Sequence, residues 1–474
     1  MNQQTEIAGK PAVNINKISW LYFIALTCQM IGNSVINSFV SFYATERLLL
    51  SAAMMAGILT ASRVCDLVIG TLSGLVVQKV CPRFGQYRSW LLYGPLMVSI
   101  GSTLCFINLD VPMGVKLFMV FIGYIGYGTG MSFVQLGQNG LIPKIAGADG
   151  RARQKIASRI TQGQNVARLL SSAMLVPMVL FFDSLGKVDG YTMVQIIFSV
   201  IALVGQAFLF VALREVDKYD PHFKAEGMGG SVKITKILST AVTNSQLLIL
   251  LLSDVIRFTA MQVISALGAY YFTYATDNYS MLTVSMTVQG FASAAAAFLC
   301  PPFSRKIGKK NSAILAGLGC MLPMIYLGFF SGGSWLVYII CNSIAQFTFV
   351  ILACNGPTLY IDAGEYQLYK TGVDNRTFVT SIFGIASKFS WIFVGGLTAV
   401  VLIGCGYDEV NKTVADVDMM IKLVGGLPAA MFLVFTLLMA FGYRLSEDRV
   451  KVAYEANIKT MQARADAAAK NDKG

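Results

Sequence analysis

Six ionisable residues stand inside apolar stretches of the sequence: Arg63, Asp66, Arg168, Asp254, Arg257 and Lys388. Arg63 and Asp66 are three apart, as are Asp254 and Arg257, the spacing that puts two side chains on one face of an α-helix. A charge near the centre of a bilayer costs about 2.5–3.5 kcal/mol on the mildest scale, so such residues mark a path for a solute or an ion. The set holds four cations and two anions, and a cationic surplus in a cavity favours an anionic solute. The competing reading is that Asp362, Glu365 or backbone carbonyls at helix ends neutralise the cations.

Neutral polar residues extend this pattern. Gln29, Asn33 and Asn37 recur at intervals of four, a polar stripe that either contacts a solute or glues helices together. Ser132, Gln135, Gln138 and Asn139 follow the glycine-rich run Gly-Tyr-Ile-Gly-Tyr-Gly-Thr-Gly130, whose small residues mark close helix contacts. Ser158, Thr161, Asn165, Arg168 and Ser172 alternate at three and four, with Arg159 beside them, and read as the wall of an aqueous cavity. Arg168 has the alternative of pairing with Asp66. Further along come Gln346 and, on one face, Lys388 and Trp391. Tyr270, Tyr271 and Tyr274 read chiefly as an interfacial aromatic belt.

The elements that must position these residues are membrane helices. The 474 residues are 55% hydrophobic and 13% charged, with a mean hydropathy of +0.61, far more apolar than a soluble chain of this size. Twelve runs are long enough to cross about 30 Å of hydrocarbon: 18–44, 50–78, 89–108, 113–142, 156–182, 191–213, 247–275, 280–303, 311–331, 334–361, 378–405 and 420–443. Gly356-Pro357 predicts a kink or break in the tenth, with a charged cytoplasmic turn from Asp362 to Lys370 beyond it. The expected organisation is an N-terminal tail (1–17), a six-helix bundle (18–213), a linker (214–246), a second bundle (247–443) and a C-terminal tail (444–474). Short basic turns with a glycine, at Gly85 and Gly308, occupy corresponding places in the two halves, as parallel transporter repeats would.

Most Lys and Arg lie on the side of the even-numbered turns and both tails, whereas the opposite loops hold only Arg47, Lys187 and Lys412. Both termini are therefore expected in the cytoplasm. The net charge of +12 records that topology and gives no ground for nucleic-acid binding. The first apolar run is too long for a signal-peptide core. The nine cysteines are scattered and read as reduced hydrophobes. The one histidine, His222, falls in the linker, which excludes a histidine proton relay within the membrane. No metal set or nucleophile dyad has useful spacing, which argues against an enzyme, and charges dispersed over two halves suit an alternating-access carrier better than a channel.

Several motifs, Ala-Ser-Arg63-Val-Cys-Asp66, Arg-Phe-Gly-Gln-Tyr-Arg-Ser-Trp90, Asn-Gly-Leu-Ile-Pro143, Asp362-Ala-Gly-Glu-Tyr366 and the isolated Lys388, carry a resemblance over nearly all twelve helices. The chain resembles the glycoside-pentoside-hexuronide:cation symporters of the major facilitator superfamily, the group that includes melibiose permease. The resemblance implies an all-α fold of twelve transmembrane helices in two pseudo-symmetric bundles. It implies that Asp66 serves cation coupling with Ser132, beside a second carboxylate one turn later, where this sequence has Gly70. A family acid serving sugar and cation aligns with Gln135, a sugar-binding acid aligns near Met30, and Arg159 matches a sugar-site arginine.

Sodium needs several hard oxygen ligands and negative charge nearby, so the loss of two carboxylates makes a proton the better coupling ion. The expectation is a secondary transporter for a sugar, glycoside or uronide-like acidic sugar, with no cofactor. It is expected to act as a monomer in the bacterial inner membrane. Its coupling would use Asp66, Ser132 and Gln135. Its solute would meet Gln29, Asn33, Asn37, Arg63, Gln135, Asn139, Arg159, Arg168, Asp254, Arg257, Gln346, Lys388 and Trp391. The alternatives are an uncoupled facilitator or exchanger of organic anions, and a receptor or scaffold on a carrier fold.

Overall fold

The computed structural model describes residues 14–146, 150–186, 188–219, 245–371, 376–445 and 449–457. His222 and most of the expected linker lie outside the described residues, as do the N-terminal tail before Asn14 and the last 17 residues. Twelve helices of 16 to 37 residues account for nearly all the described chain. They are α1 (Ile15–Glu46), α2 (Ala52–Lys79), α3 (Trp90–Cys105), α4 (Met113–Ala146), α5 (Gly150–Ser184) and α6 (Gly190–Ala212). After residues 220–244 come α7 (Ser245–Tyr270), α8 (Met281–Ile307), α9 (Lys309–Phe330), α10 (Trp335–Thr371), α11 (Arg376–Gly404) and α12 (Val417–Leu437). Short π-turns extend α7 and α12 over Tyr271–Ala275 and Leu438–Gly442.

Eleven of these helices are long and apolar enough to cross a membrane. The chain is a multi-pass membrane protein. The shorter one is α3, whose 16 residues reach about 24 Å at 1.5 Å per residue. It stops early because the Phe106 carbonyl at its end is taken by the hydroxyls of Tyr43, at 2.7 Å, and Thr192. The longest, α10, runs unbroken through Pro357, so the expected break at Gly356-Pro357 does not occur. At roughly 55 Å it outruns the hydrocarbon, and Asp362, Glu365 and Lys370 lie on its last turns rather than in a loop. Side-chain caps start three helices: Asn14 accepts from Lys17 N, Asp189 from Tyr191 N and Thr192 N, and Asp416 from Met419 N.

The helices separate into two compact units, residues 1–50 with 61–231 and residues 51–60 with 232–474. The second therefore includes the start of α2, where Thr60 Oγ1 donates to the Ile392 carbonyl at 3.3 Å.

In the first unit α3 and α4 pack backbone to backbone at Gly101 and Gly123. Small residues permit this close approach where lipid supplies no hydrophobic drive. A buried amide cluster then ties three helices: Gln138 Nε2 (α4) donates to Gln29 Oε1 (α1) at 2.7 Å, and Gln206 Nε2 (α6) donates to the same oxygen at 3.0 Å.

In the second unit α7 packs on α11 and α12, and α9 on α10 and α12. Tyr270 and Tyr271 are fully buried, against Tyr407 and Tyr338. They are core residues, not an interfacial belt: Tyr270 is packed by the two-stranded hairpin after α11, Tyr407–Asp408 with Thr413–Val414, and Tyr271 by Tyr338 of α10. The basic turns after α2 and α8 share one feature: Gly85 and Gly308 both have positive φ, +112° and +88°, a region that glycine enters without steric cost.

Candidate functional site

Arg63 and Asp66 share one face of α2, and α4 supplies what they touch. Arg63 Nη2 donates to the Tyr124 hydroxyl at 2.5 Å, and its guanidinium lies over that ring, 4.4 Å from the centroid. Its Nη1 is 4.0 Å from Asp66 Oδ2, so the ion pair is long and the arginine leans toward the tyrosine. Asp66 instead presses on α4 at Gly128. A Cβ on Gly128 would stand 2.6 Å from Asp66 Cγ and 2.7 Å from Oδ1. Among the described residues that Oδ1 is buried with no hydrogen-bond partner.

Gly128 belongs to a longer face of α4. Tyr124, Gly128, Ser132, Gln135 and Asn139 recur at three and four and form one face of the helix. Ser132 is buried, while Gln135 and Asn139 are exposed. Met131 beside them meets α1: the amide nitrogens of Gln29 and Asn33 point at its sulfur at 3.5 and 3.2 Å. Asn37 Oδ1 accepts from the Tyr127 hydroxyl at 3.1 Å. The α1 stripe thus faces the interior of its own unit, with Gln29 occupied by the amide cluster.

On α5 the two arginines have different surroundings. Arg159 stacks on Trp20, 3.8 Å from the ring centroid, and donates to Gln162 Oε1 at 2.9 Å. Arg168 lies nine residues on, about 13 Å along the axis. It is exposed and forms no ion pair among the described residues, so Asp66 is not its partner. Ser158 and Thr161 are exposed on the same polar face.

In the second unit Arg257 Nε donates to Asp254 Oδ1 at 2.5 Å, and both side chains are buried, at 1% and 7% exposed. Gln346 Nε2 donates to Ser293 Oγ at 3.0 Å. Lys388 and Trp391 lie three apart on α11 and are partly buried. The acids offered by the sequence as neutralisers of the intramembrane cations have other partners among their contacts. Asp362 takes Lys309 Nζ at 2.8 Å, and Glu365 accepts from Asn457 Nδ2 at 2.9 Å. No group of three or more His, Cys, Asp or Glu able to hold a metal ion occurs among the described residues.

Sequence reading missed Tyr124, Tyr127 and Gly128. All three lie in the glycine-rich run, and the available signal was the interval of four that joins Tyr124 and Gly128 to Ser132.

Comparison with known proteins gives a consistent result. The profile of the family described as MFS/sugar transport protein matches residues 21–447. The isoprimeverose transporter of Lactiplantibacillus pentosus is 23% identical over 414 residues, 84% of either chain. The glucuronide carrier protein homolog of Escherichia coli is 24% identical over 450 residues, covering 92% of this chain and 94% of that one. Among solved structures, a D-xylose-proton symporter superposes with a TM-score of 0.64 at 15% identity, over 91% of this chain and 98% of that one.

Proposed function

From the premise that the chain belongs to the MFS/sugar transport family, as a glycoside-pentoside-hexuronide:cation symporter type of carrier, we propose that it moves an acidic sugar across the membrane with a proton. One observation carries the acidic choice. In the helices of the first unit, among the described residues, Asp66 is the one carboxylate away from a helix end. It faces Arg63, while Arg168 stands exposed on the polar face of α5 with no ion-pair partner. A carboxylate on the solute offsets that surplus, whereas a neutral sugar leaves it standing. The glucuronide carrier homolog supports the same choice. Asn139 and Gln135, exposed on the Asp66 face of α4, are the proposed neutral contacts to sugar hydroxyls.

The coupling argument rests on ligand count. Sodium is held by several oxygens, and Asp66 has Gly70 where a second carboxylate would stand. Its unpartnered Oδ1 against Gly128 suits a single proton. The protein is proposed to act as a monomer in the inner membrane with both termini in the cytoplasm, on the strength of its basic even-numbered turns.

Counterflow in proteoliposomes tests the substrate. Labelled methyl β-D-glucuronide should exchange faster than methyl β-D-glucoside, and the reverse order would defeat the acidic reading. An imposed inward proton gradient should drive accumulation in the wild type and not in Asp66→Asn, which retains exchange. No accumulation by the wild type would leave an uncoupled or anion-exchanging carrier, and accumulation by Asp66→Asn equal to wild type would place the coupling group elsewhere.

A further inference from the structure

The buried arginine of the second unit is only partly used by the protein. Arg257 gives Nε to Asp254, yet among the described residues Nη1 and Nη2 are both buried without a hydrogen-bond partner, while the Tyr360 hydroxyl lies against the Asp254 carboxylate. The walls around it are aromatic. The guanidinium lies 4.3 Å from the Phe258 ring centroid and 5.8 Å from that of Phe349. Gly356 completes the enclosure: a Cβ there would stand 3.0 Å from Arg257 Nη2 and 2.6 Å from the Phe383 ring. Phe383 is half-buried and packs on both Phe258 and Tyr360.

Two idle cationic donors in an apolar cage are costly, so their retention calls for an occupant. The free edge has a definite shape. With Nε taken, Nη1 and Nη2 present two coplanar N–H groups, the fork that matches the two oxygens of a carboxylate. We propose that this edge of Arg257 anchors the carboxylate of the acidic sugar through two parallel N–H···O bonds, once Phe383 turns away from Gly356. The inference rests on the acidic-solute reading above: the cationic surplus of the first unit favours an anion, and Arg257 supplies the direct contact to its carboxylate. Asp254 then acts as a resident counter-ion. It orients the guanidinium through Nε, and its negative charge opposes a second carboxylate in the same cage.

The test is a binding comparison on the purified full-length protein in lipid nanodiscs, with methyl β-D-glucuronide and methyl β-D-glucoside as a matched pair differing at C6. The wild type should prefer the glucuronide. Arg257→Gln should collapse that preference toward unity, a loss of about a hundredfold or more for two charge-assisted hydrogen bonds. Arg257→Lys, a point charge without the fork, should keep part of it. Asp254→Asn should raise glucuronide affinity, because the opposing charge is gone. If the wild type prefers the glucoside, the acidic-solute reading falls and the anchor falls with it. If the wild type prefers the glucuronide and Arg257→Gln keeps that preference, the anchor alone is wrong. Should Arg257→Gln fail to fold, Arg257→Lys and Asp254→Asn decide the matter: ratios equal to wild type in both overturn the proposal.

Discussion

The carboxylate of Asp66 occupies the space that a methyl group on Gly128 would need, with 2.6 Å between the Asp66 Cγ and the position of that Cβ. Contact this close forces one side to move, and the α4 backbone is fixed by its packing on α3. Gly128→Ala should therefore displace the Asp66 side chain while leaving the helix intact, since alanine favours helix by about 1 kcal/mol over glycine. The expected result is at least a tenfold loss of proton-driven uptake with an unchanged or slightly raised unfolding temperature. The double variant with Asp66→Asn should lose no more than either single one, because both act through one carboxylate. Additive losses would place Gly128 in a separate role.

Tyr124 holds Arg63 by its hydroxyl and by its ring face, and these two contributions can be separated. Tyr124→Phe removes the acceptor and keeps the ring, which should cost about 1.5–3 kcal/mol for a hydrogen bond to a charged group. Tyr124→Leu should cost a further 0.5–2 kcal/mol as the cation–π contact goes. Thermal unfolding in detergent measures both, and equal stability of Tyr124→Phe and wild type would show that the hydroxyl contributes nothing.

How far these contacts were legible in the sequence depends on what each one uses. Arg63 with Asp66, and Asp254 with Arg257, were readable because helical spacing alone puts them on one face. Twelve apolar runs likewise gave the helices, with ends displaced by up to ten residues, the largest shift being at the end of α10. The spacing of four placed Gly128 on the face of Tyr124 and Ser132, but its contact with Asp66 was not readable: a glycine carries no side chain to announce its partner, and its neighbours in the same run pack on α3. Gln29 and Asn33 looked equally suited to solute or packing, and only the placement of Gln138, Gln206 and Met131 around them distinguishes the two. Pro357 misled because a membrane helix tolerates the missing N–H when neighbouring helices enclose it.

Asp217, just past α6, binds the turn between α2 and α3. Its Oδ2 accepts from the backbone N–H groups of Tyr87 and Arg88 at 2.7 and 2.8 Å, and its Oδ1 takes Lys144 Nζ at 2.7 Å. The carboxylate is 2% exposed, so removing it strands two amides and a lysine. Asp217→Ala should lower stability by about 3–5 kcal/mol. Asp217→Asn should cost less, since one amide oxygen can still accept from the backbone. Unfolding measurements that rank the two variants equal would argue that the turn is held by packing alone.

Asp189 offers a pH-dependent contrast at the opposite end of the same unit. Its Oδ1 caps α6 by accepting from Tyr191 N and Thr192 N at 3.0 and 3.3 Å, and its Oδ2 lies 3.4 Å from Arg47 Nε. Burial raises its carboxyl above the usual range, and the opposing pull of Arg47 and the capping bonds does not cancel the effect. A carboxyl whose pKa is higher folded than unfolded binds its proton more tightly in the native state. The stability it contributes is full below the unfolded pKa and is lost as pH rises through the folded one. Asparagine caps as well as aspartate and carries no charge to bury. Asp189→Asn should therefore be the more stable protein near pH 7, and its advantage should shrink as pH falls toward 4. The ion pair of Arg47 with Asp183 at 2.7 Å remains in both proteins and cancels in the comparison. Unfolding temperatures recorded from pH 4 to 7 give the result directly: a stability difference that stays flat, or one that favours the wild type at neutral pH, would mean that the ionised carboxylate is better served by Arg47 than it is harmed by burial.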